Sequence, residues 1–288
     1  MMERIDAHCH FWQPARGDYG WLDSGGPQLD PLRREFLPPD LAVLNGMRRV
    51  IVVQAAPSEA ETHFLLGLAQ TAPQIAGVVG WVDLGEPEAA GRLAALARNP
   101  RFRGVRPMLQ DLADPDWIDT APAPDAIRAL QSLGLGLDAL VRTQHLPALS
   151  RFVARYPDLP VVIDHAAKPD LSEGLGNAWL DRMRGLARDS RSHCKLSGLL
   201  TELDPTRLAS PARAIEALRP VLDRLLDWFG PARLMWGSDW PVVTLAAGHD
   251  VWEAVTEALL ADLSPRDRAA ILGGTALRFY GLEAGQDA

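Results

Sequence analysis

The chain has 288 residues, 47% of them hydrophobic and 23% charged, which suits a water-soluble globular protein long enough to bury a large core. A net charge of −8 without any basic block argues against a nucleic-acid surface, and no apolar run approaches the roughly 18 residues of a membrane span. Cys9 and Cys194 are too few for a disulfide framework, and charges at Glu3, Arg4 and Asp6 leave no basic-then-apolar leader; a reducing cytoplasm is the expected compartment.

Along the chain, strand-like and helix-like segments alternate. A first apolar run, Arg4–His10, is followed by a Gly- and Pro-rich stretch, 17–39, carrying Tyr19 and Trp21. Further strand candidates are Arg49–Ala55, Ile75–Leu84, Gly104–Leu109, Gly136–Val141, Pro160–His165, His193–Leu196 and Arg233–Gly237. Most are short and continuously apolar, the pattern of strands covered on both faces. Between them, Ser58–Ala72, Pro87–Ala97, Ala123–Leu133, Leu146–Arg155, Leu180–Arg188, Pro211–Phe229 and Trp252–Ala261 carry apolar residues at helical spacing. Eight strands alternating with helices predict a parallel sheet closed as a single-domain (β/α)₈ barrel spanning 1–288, with 17–39 as a loop over its mouth. A doubly wound sheet fits less well, because no strand leads into a Gly-rich phosphate turn.

In such a barrel, chemistry collects at the C-terminal strand ends. Strand alternation puts His8 and His10 on one side of the first strand and Cys9 on the other. Seven histidines in 288 residues give roughly 0.17 such pairs by chance, so the pair is suggestive and gains weight from its position. The other strand ends carry Gln54, Trp81 and Asp83, Arg106, Asp138 and Arg142, Asp164, His165 and Lys168, Lys195 and Ser197, and Asp239 and Trp240. Charge at this density beside apolar runs must be paired, metal-bound or functional. His8, His10, His165 and Asp239 could together hold one divalent metal with an open position for water. The same groups could act without metal, His165 or Arg106 polarising a carbonyl while Asp239 takes a proton from water. The bland readings are these. Asp138 holds Arg106 or Lys195, Gln54 satisfies backbone groups, and Arg142 is solvated. Asp164 points away from His165, the cysteines pack, and His63, His145, His193 and His249 lie at the surface.

At these residues the sequence resembles the amidohydrolase superfamily, and within it the group containing sugar lactonases of the L-rhamnono- and L-fuconolactonase type. The resemblance is carried by Ile5-Asp6-Ala7-His8-Cys9-His10-Phe11-Trp12, Gly104-Val105-Arg106-Pro107, Val162-Ile163-Asp164-His165, Met235-Trp236-Gly237-Ser238-Asp239-Trp240-Pro241, and shorter matches at Gln54, Trp81, Lys195 and 274–280. It implies that His8, His10, His165 and Asp239 form the catalytic centre, and that Arg106 and Lys168 grip substrate oxygens. No His stands on the fifth strand and no lysine on the fourth, so a two-metal centre is not expected; one zinc-like ion, or none, is.

The leading expectation is hydrolysis of a sugar-acid lactone. Trp12, Trp21, Trp81 and Trp240 could stack on its ring, and Arg106 and Gln54 could bond its hydroxyls. The alternatives are a lactonase for carboxylated products of aromatic breakdown, a metal-dependent decarboxylase, and a barrel without enzymatic activity. The expected partner is a small-molecule lactone, with neither nucleic acid nor membrane; nothing in the pattern specifies an oligomeric state.

Overall fold

A computed structural model describes residues 4–41, 49–172 and 174–283. Its eight strands are β1 (Ile5–Cys9), β2 (Arg49–Val53), β3 (Ile75–Gly80), β4 (Phe102–Val105), β5 (Gly136–Ala139), β6 (Val161–Ile163), β7 (His193–Leu196) and β8 (Leu234–Trp236). All neighbours pair in parallel, in chain order. The ring is drawn together just past β1 and β8. There the Asp239 N–H donates to the His8 carbonyl (2.8 Å) and the His10 N–H to the Trp240 carbonyl (2.7 Å). The protein is therefore a (β/α)₈ barrel, and no helix among the described residues is long and apolar enough to cross a membrane.

The helices follow their apolar spacing closely. Leu146–Arg155 and Pro211–Phe229 begin and end where the pattern does, and Glu59–Thr71 is capped by the Ser58 hydroxyl accepting from the Glu61 N–H. Most strands stop short of their apolar runs. Beyond Gly80, for example, Trp81–Leu84 leaves the sheet to form part of the barrel mouth. The chain after 264, for which the sequence reading drew no helix, forms three short helical pieces, 265–269, 270–274 and 275–279. Ala276 and Tyr280 from this segment pack with Ile5, Ala76 and Met235 in the inner cluster, closing the end where the strands begin. Nor is 17–39 irregular throughout: it holds a turn of helix at Gly20–Ser24 and a 3₁₀ stretch at Pro27–Leu32.

Three of the histidines expected at the surface are not there. His145 and His249 are buried and His193 is half-buried; only His63 is exposed. His145 accepts from the Arg142 N–H (3.0 Å) at the head of its helix, and His249 packs against the edge of Trp236. A helix end carries no apolar signature, so sequence alone put them in water.

Candidate active site

The first site residues come from β1, where a bulge sets their direction. Between Asp6 and Cys9 the strand advances three residues while β2 advances two, from Val50 to Val52. The extra residue reverses the alternation. Ile5 and Ala7 share the inner cluster with Ile51 and Val53, whereas Cys9 lies in the outer layer with Val50 and Val52. The Asp6 carboxylate pins this irregularity by accepting from the backbone N–H of His8 (3.0 Å) and of Ser238 (2.8 Å). The His8 and His10 Nε2 atoms end 3.2 Å apart. Gly237 allows the close approach of β8, since a Cβ there would stand 2.6 Å from that of His8.

Asp239 and His165 reach the same point through left-handed backbone. Asp239 has φ 57°, and His165, Ala166, Ala167 and Lys168 form a run with φ between 47° and 58°. Such a run of non-glycine residues costs roughly 1–2 kcal/mol per residue and persists only where packing enforces it. The Trp179 indole donates to the Ala166 carbonyl (2.8 Å), and Ser197 Oγ meets His165 Nδ1 (2.9 Å). This turn overturns the expectation for Asp164. Val162 packs in the inner cluster and Ile163 in the outer one, so Asp164 faces the barrel interior by alternation, and the left-handed turn brings His165 to the same side.

Asp239 Oδ1 lies 3.3 Å from His10 Nε2, 3.6 Å from His8 Nε2 and 3.8 Å from His165 Nε2. Burial opposes ionisation of this carboxyl, but the surrounding imidazoles, His165 foremost, outweigh it and hold the group well below the usual carboxylate range. Burial likewise keeps the three imidazoles neutral at pH 7, His165 being lowered to about 4.

The donor set suits a divalent metal. Ligands around a tetrahedral zinc at about 2.0–2.1 Å stand roughly 3.3–3.5 Å from one another. The three separations among His8 Nε2, His10 Nε2 and Asp239 Oδ1, 3.2, 3.3 and 3.6 Å, bracket that spacing. His10 Nδ1 is 2.7 Å from the Val53 carbonyl, which fixes the proton there and leaves the Nε2 lone pair toward the cluster.

Below this cluster lies a fully buried ionic network. Lys195 Nζ is 2.5 Å from Asp138 Oδ2, 3.0 Å from Asp164 Oδ1 and 3.1 Å from His8 Nδ1; the Tyr280 hydroxyl donates to Asp138 (2.9 Å). Asp164 is also 3.4 Å from His8 Nδ1. Lys195 is thus an internal ion-pair partner of Asp138, and Arg106 is not.

Arg106 is buried, donates to the Gln54 carbonyl and stands 3.7 Å from Asp164. Above Asp239, His10 and His165 is a cavity of about 310 Å³, which Arg106, Lys168, Gln110, Trp12 and Trp21 also line. Lys168 donates to Gln110 Oε1 (2.7 Å). Three of the expected substrate contacts lie elsewhere. Gln54 is fully buried and donates to the Arg106 carbonyl (2.6 Å), so it braces that strand end. Trp240 packs between Phe11 and Phe36, and Trp81 lines a neighbouring cavity. Arg142 is exposed, 3.9 Å from Glu202. Gln110 and Met108 also line this cavity, and as loop residues without charge or aromaticity they carry no signal in the sequence.

A closed parallel barrel with two imidazoles at the end of β1, a third after β6 and a carboxylate after β8 defines a hydrolase-type, metal-capable centre. The amidohydrolase family profile matches residues 5–282, and the chain belongs to that family. It is 47% identical to an L-fucono-1,5-lactonase of Burkholderia ambifaria, over 98% of this chain and 97% of that one, and 41% identical to one of Burkholderia multivorans, over 99% and 98%. A solved amidohydrolase from Burkholderia multivorans with bound zinc superposes with a TM-score of 0.88 at 40% identity, covering 98% of this chain and all of the other.

Proposed function

We propose that this protein opens the ring ester of a sugar-acid lactone, of the L-fucono-1,5-lactone type, by attack of water. The observation that carries the reading is near-full-length identity of 47% and 41% to two enzymes of that name. The cavity in which Asp239, His10 and His165 meet supplies the chemistry. The reaction adds one water across the bond between acyl carbon and ring oxygen and leaves one hydroxy acid. Asp239, ionised, accepts a proton from the water, and that proton passes to the ring oxygen as it leaves. Ser197 donates its hydroxyl hydrogen to His165 Nδ1, so that Nε2–H faces the carbonyl oxygen on which charge develops. Arg106 and Lys168 bind ring and exocyclic oxygens as fixed donors. His8, His10 and Asp239 would hold one divalent metal, zinc by donor type. When bound it supplies Lewis acidity and lowers the pKa of water.

A neutral lactone suits the charge of the cavity. Its cationic side chains, among the described residues, are Arg106 and Lys168, against the carboxylates of Asp239 and Asp111. Lys195, which could have served a carboxylated substrate, is committed to Asp138 and Asp164 below. Cys9 and Cys194 are both buried and unbridged, in keeping with the cytoplasm.

The test is a pH-indicator assay of L-fucono-, L-rhamnono- and galactonolactones beside a dicarboxylate pyrone lactone, with metal content measured on the same sample. Fastest turnover of the neutral sugar lactones is expected, with stoichiometric divalent metal that is lost in His10→Ala. Preference for the dicarboxylate would overturn the substrate class, and release of carbon dioxide without lactone opening would overturn the reaction.

A further inference from the structure

The barrel mouth holds more than the cavity above Asp239. A second, of about 530 Å³, lies beside it on the side of β2, β3 and β4. Its walls include Trp21, Trp81 and Trp117, with Asp83 and Asp111 at its edges. Trp21, Met108 and Asp111 line both cavities, so the two share one partition. The smaller cavity already reaches the low end of the range for small-ligand sites, roughly 300–1,000 Å³, and is enough for one sugar ring. The second is therefore space that a simple hexonolactone leaves unused.

Its lining has a definite chemistry. Among the described residues no Lys, Arg or His borders it. Among the described residues the indole N–H groups of Trp81 and Trp117 have no hydrogen-bond partner and Asp83 and Asp111 have no ion pair, whereas the Trp21 indole donates to the Ala55 carbonyl (2.8 Å). Flat indole faces cover the C–H side of a pyranose, indole N–H groups donate to its hydroxyl oxygens, and carboxylate oxygens not held by a cation accept from its hydroxyl hydrogens. Anionic groups are repelled.

We propose that this cavity is a second saccharide subsite, which accepts a neutral pyranosyl group carried by the lactone, so that the enzyme hydrolyses glycosyl-aldonolactones. The inference rests on the lactonase reading of the neighbouring cavity. Water opens the lactone as before, and the glycosidic bond stays intact; the product is an aldonic acid that still carries its glycosyl group.

The experiment compares kcat/KM for lactobiono-, cellobiono- and maltobionolactone with that for unsubstituted sugar lactones, in the intact protein and in Trp117→Ala. At least one glycosylated lactone is expected to match or exceed the unsubstituted substrates. Trp117→Ala should reduce it about tenfold, mainly through KM, and leave the unsubstituted lactones within twofold. Should Trp117→Ala not fold, Asp83→Asn replaces it. The amide oxygen keeps the turn bond to the Gly85 N–H that Asp83 Oδ1 now accepts (3.0 Å), and a selective rise in KM of a few-fold is expected. Hydrolysis of unsubstituted lactones with at least tenfold slower turnover of every glycosylated one overturns the subsite and leaves the lactonase reading standing. An equal effect of the variants on both substrate sets does the same. So does Trp117-dependent binding of tetramethylammonium without glycosylated turnover, which marks a cation cage. Hydrolysis of no lactone of either kind overturns both.

Discussion

Asp239 is the residue on which the cluster turns, because three imidazoles converge on one of its oxygens. Asp239→Asn keeps shape and volume while removing the charge that, in the proposed reaction, accepts a proton. We expect kcat to fall by about two orders of magnitude or more, with the thermal midpoint changed by only a few degrees, as read by steady-state kinetics and a melting curve on one preparation. Arg106 plays two parts at once. It lines the cavity, and it also donates to the Gln54 carbonyl beside Asp164. Arg106→Met should therefore lower kcat/KM and also cost about 1–3 kcal/mol of stability, measured by denaturant unfolding, since a buried carbonyl loses its donor. Asp164 keeps Lys195, which limits that cost. An unchanged stability would mean that the Gln54 contact contributes nothing.

Two elements hold the imidazoles, and each departs from regular geometry. The bulge in β1 rotates His8 inward, and the left-handed run after β6 brings Asp164 and His165 to the same side. Neither departure stands alone. Gly198, itself at φ 60° after β7, lies behind His165, and a Cβ there would meet Nδ1 at 2.4 Å, occupying the space of the bond from Ser197. Gly198→Ala is expected to displace the imidazole and lower kcat by about ten- to a hundredfold. It should also cost roughly 1–2 kcal/mol, because alanine resists that φ. Both are read from kinetics and unfolding of the variant beside Gly198→Asn, in which a residue tolerant of left-handed backbone separates strain from the steric clash. A kcat within twofold of the parent in both variants would show that the ring does not depend on this glycine.

For the whole molecule, buried histidines cost stability in acid, while the buried carboxyls of Asp6 and Glu61, which burial raises to about 7, act in the opposite sense over the same window. Burial lowers the pKa of His249 from 6.5 to about 4, so the folded state stays unprotonated while the unfolded chain takes up a proton. The unfolded state then binds more protons between these values, and this group's contribution to stability is full above pH 6.5 and falls as pH drops toward 4. One such group contributes a slope of at most about 1.4 kcal/mol per pH unit. His249→Gln should remove its own share of the pH dependence over that window, so that the variant loses less stability, or gains more, than the parent as pH falls from 6.5 toward 4. Urea unfolding at a series of pH values checks this; parallel pH dependence in parent and variant would place the acid response elsewhere.

The barrel and its closest chemistry were legible in the residues. Short apolar runs between amphipathic helices specify buried parallel strands, because only that arrangement covers both faces of each strand. The position of His8, His10, His165 and Asp239 at strand ends then follows from topology. What the sequence did not determine is every feature that depends on breaking local rules. The direction of His165, which joins Asp164 on the inner side, rests on a left-handed run from His165 to Lys168, a conformation that no residue type in Asp164-His165-Ala166-Ala167-Lys168 signals and that packing against Trp179 and Ser197 enforces. Lys195 pairs with Asp138 and Asp164 because the parallel sheet sets β5, β6 and β7 side by side and brings these three residues together inside the barrel. Gln54, Trp81 and Trp240 stand at strand ends like the site residues, yet the contacts around each turn them to bracing, to a second cavity and to the aromatic core. Chain order fixes which residues arrive at the mouth of a barrel; the three-dimensional contacts around each one decide which way it points.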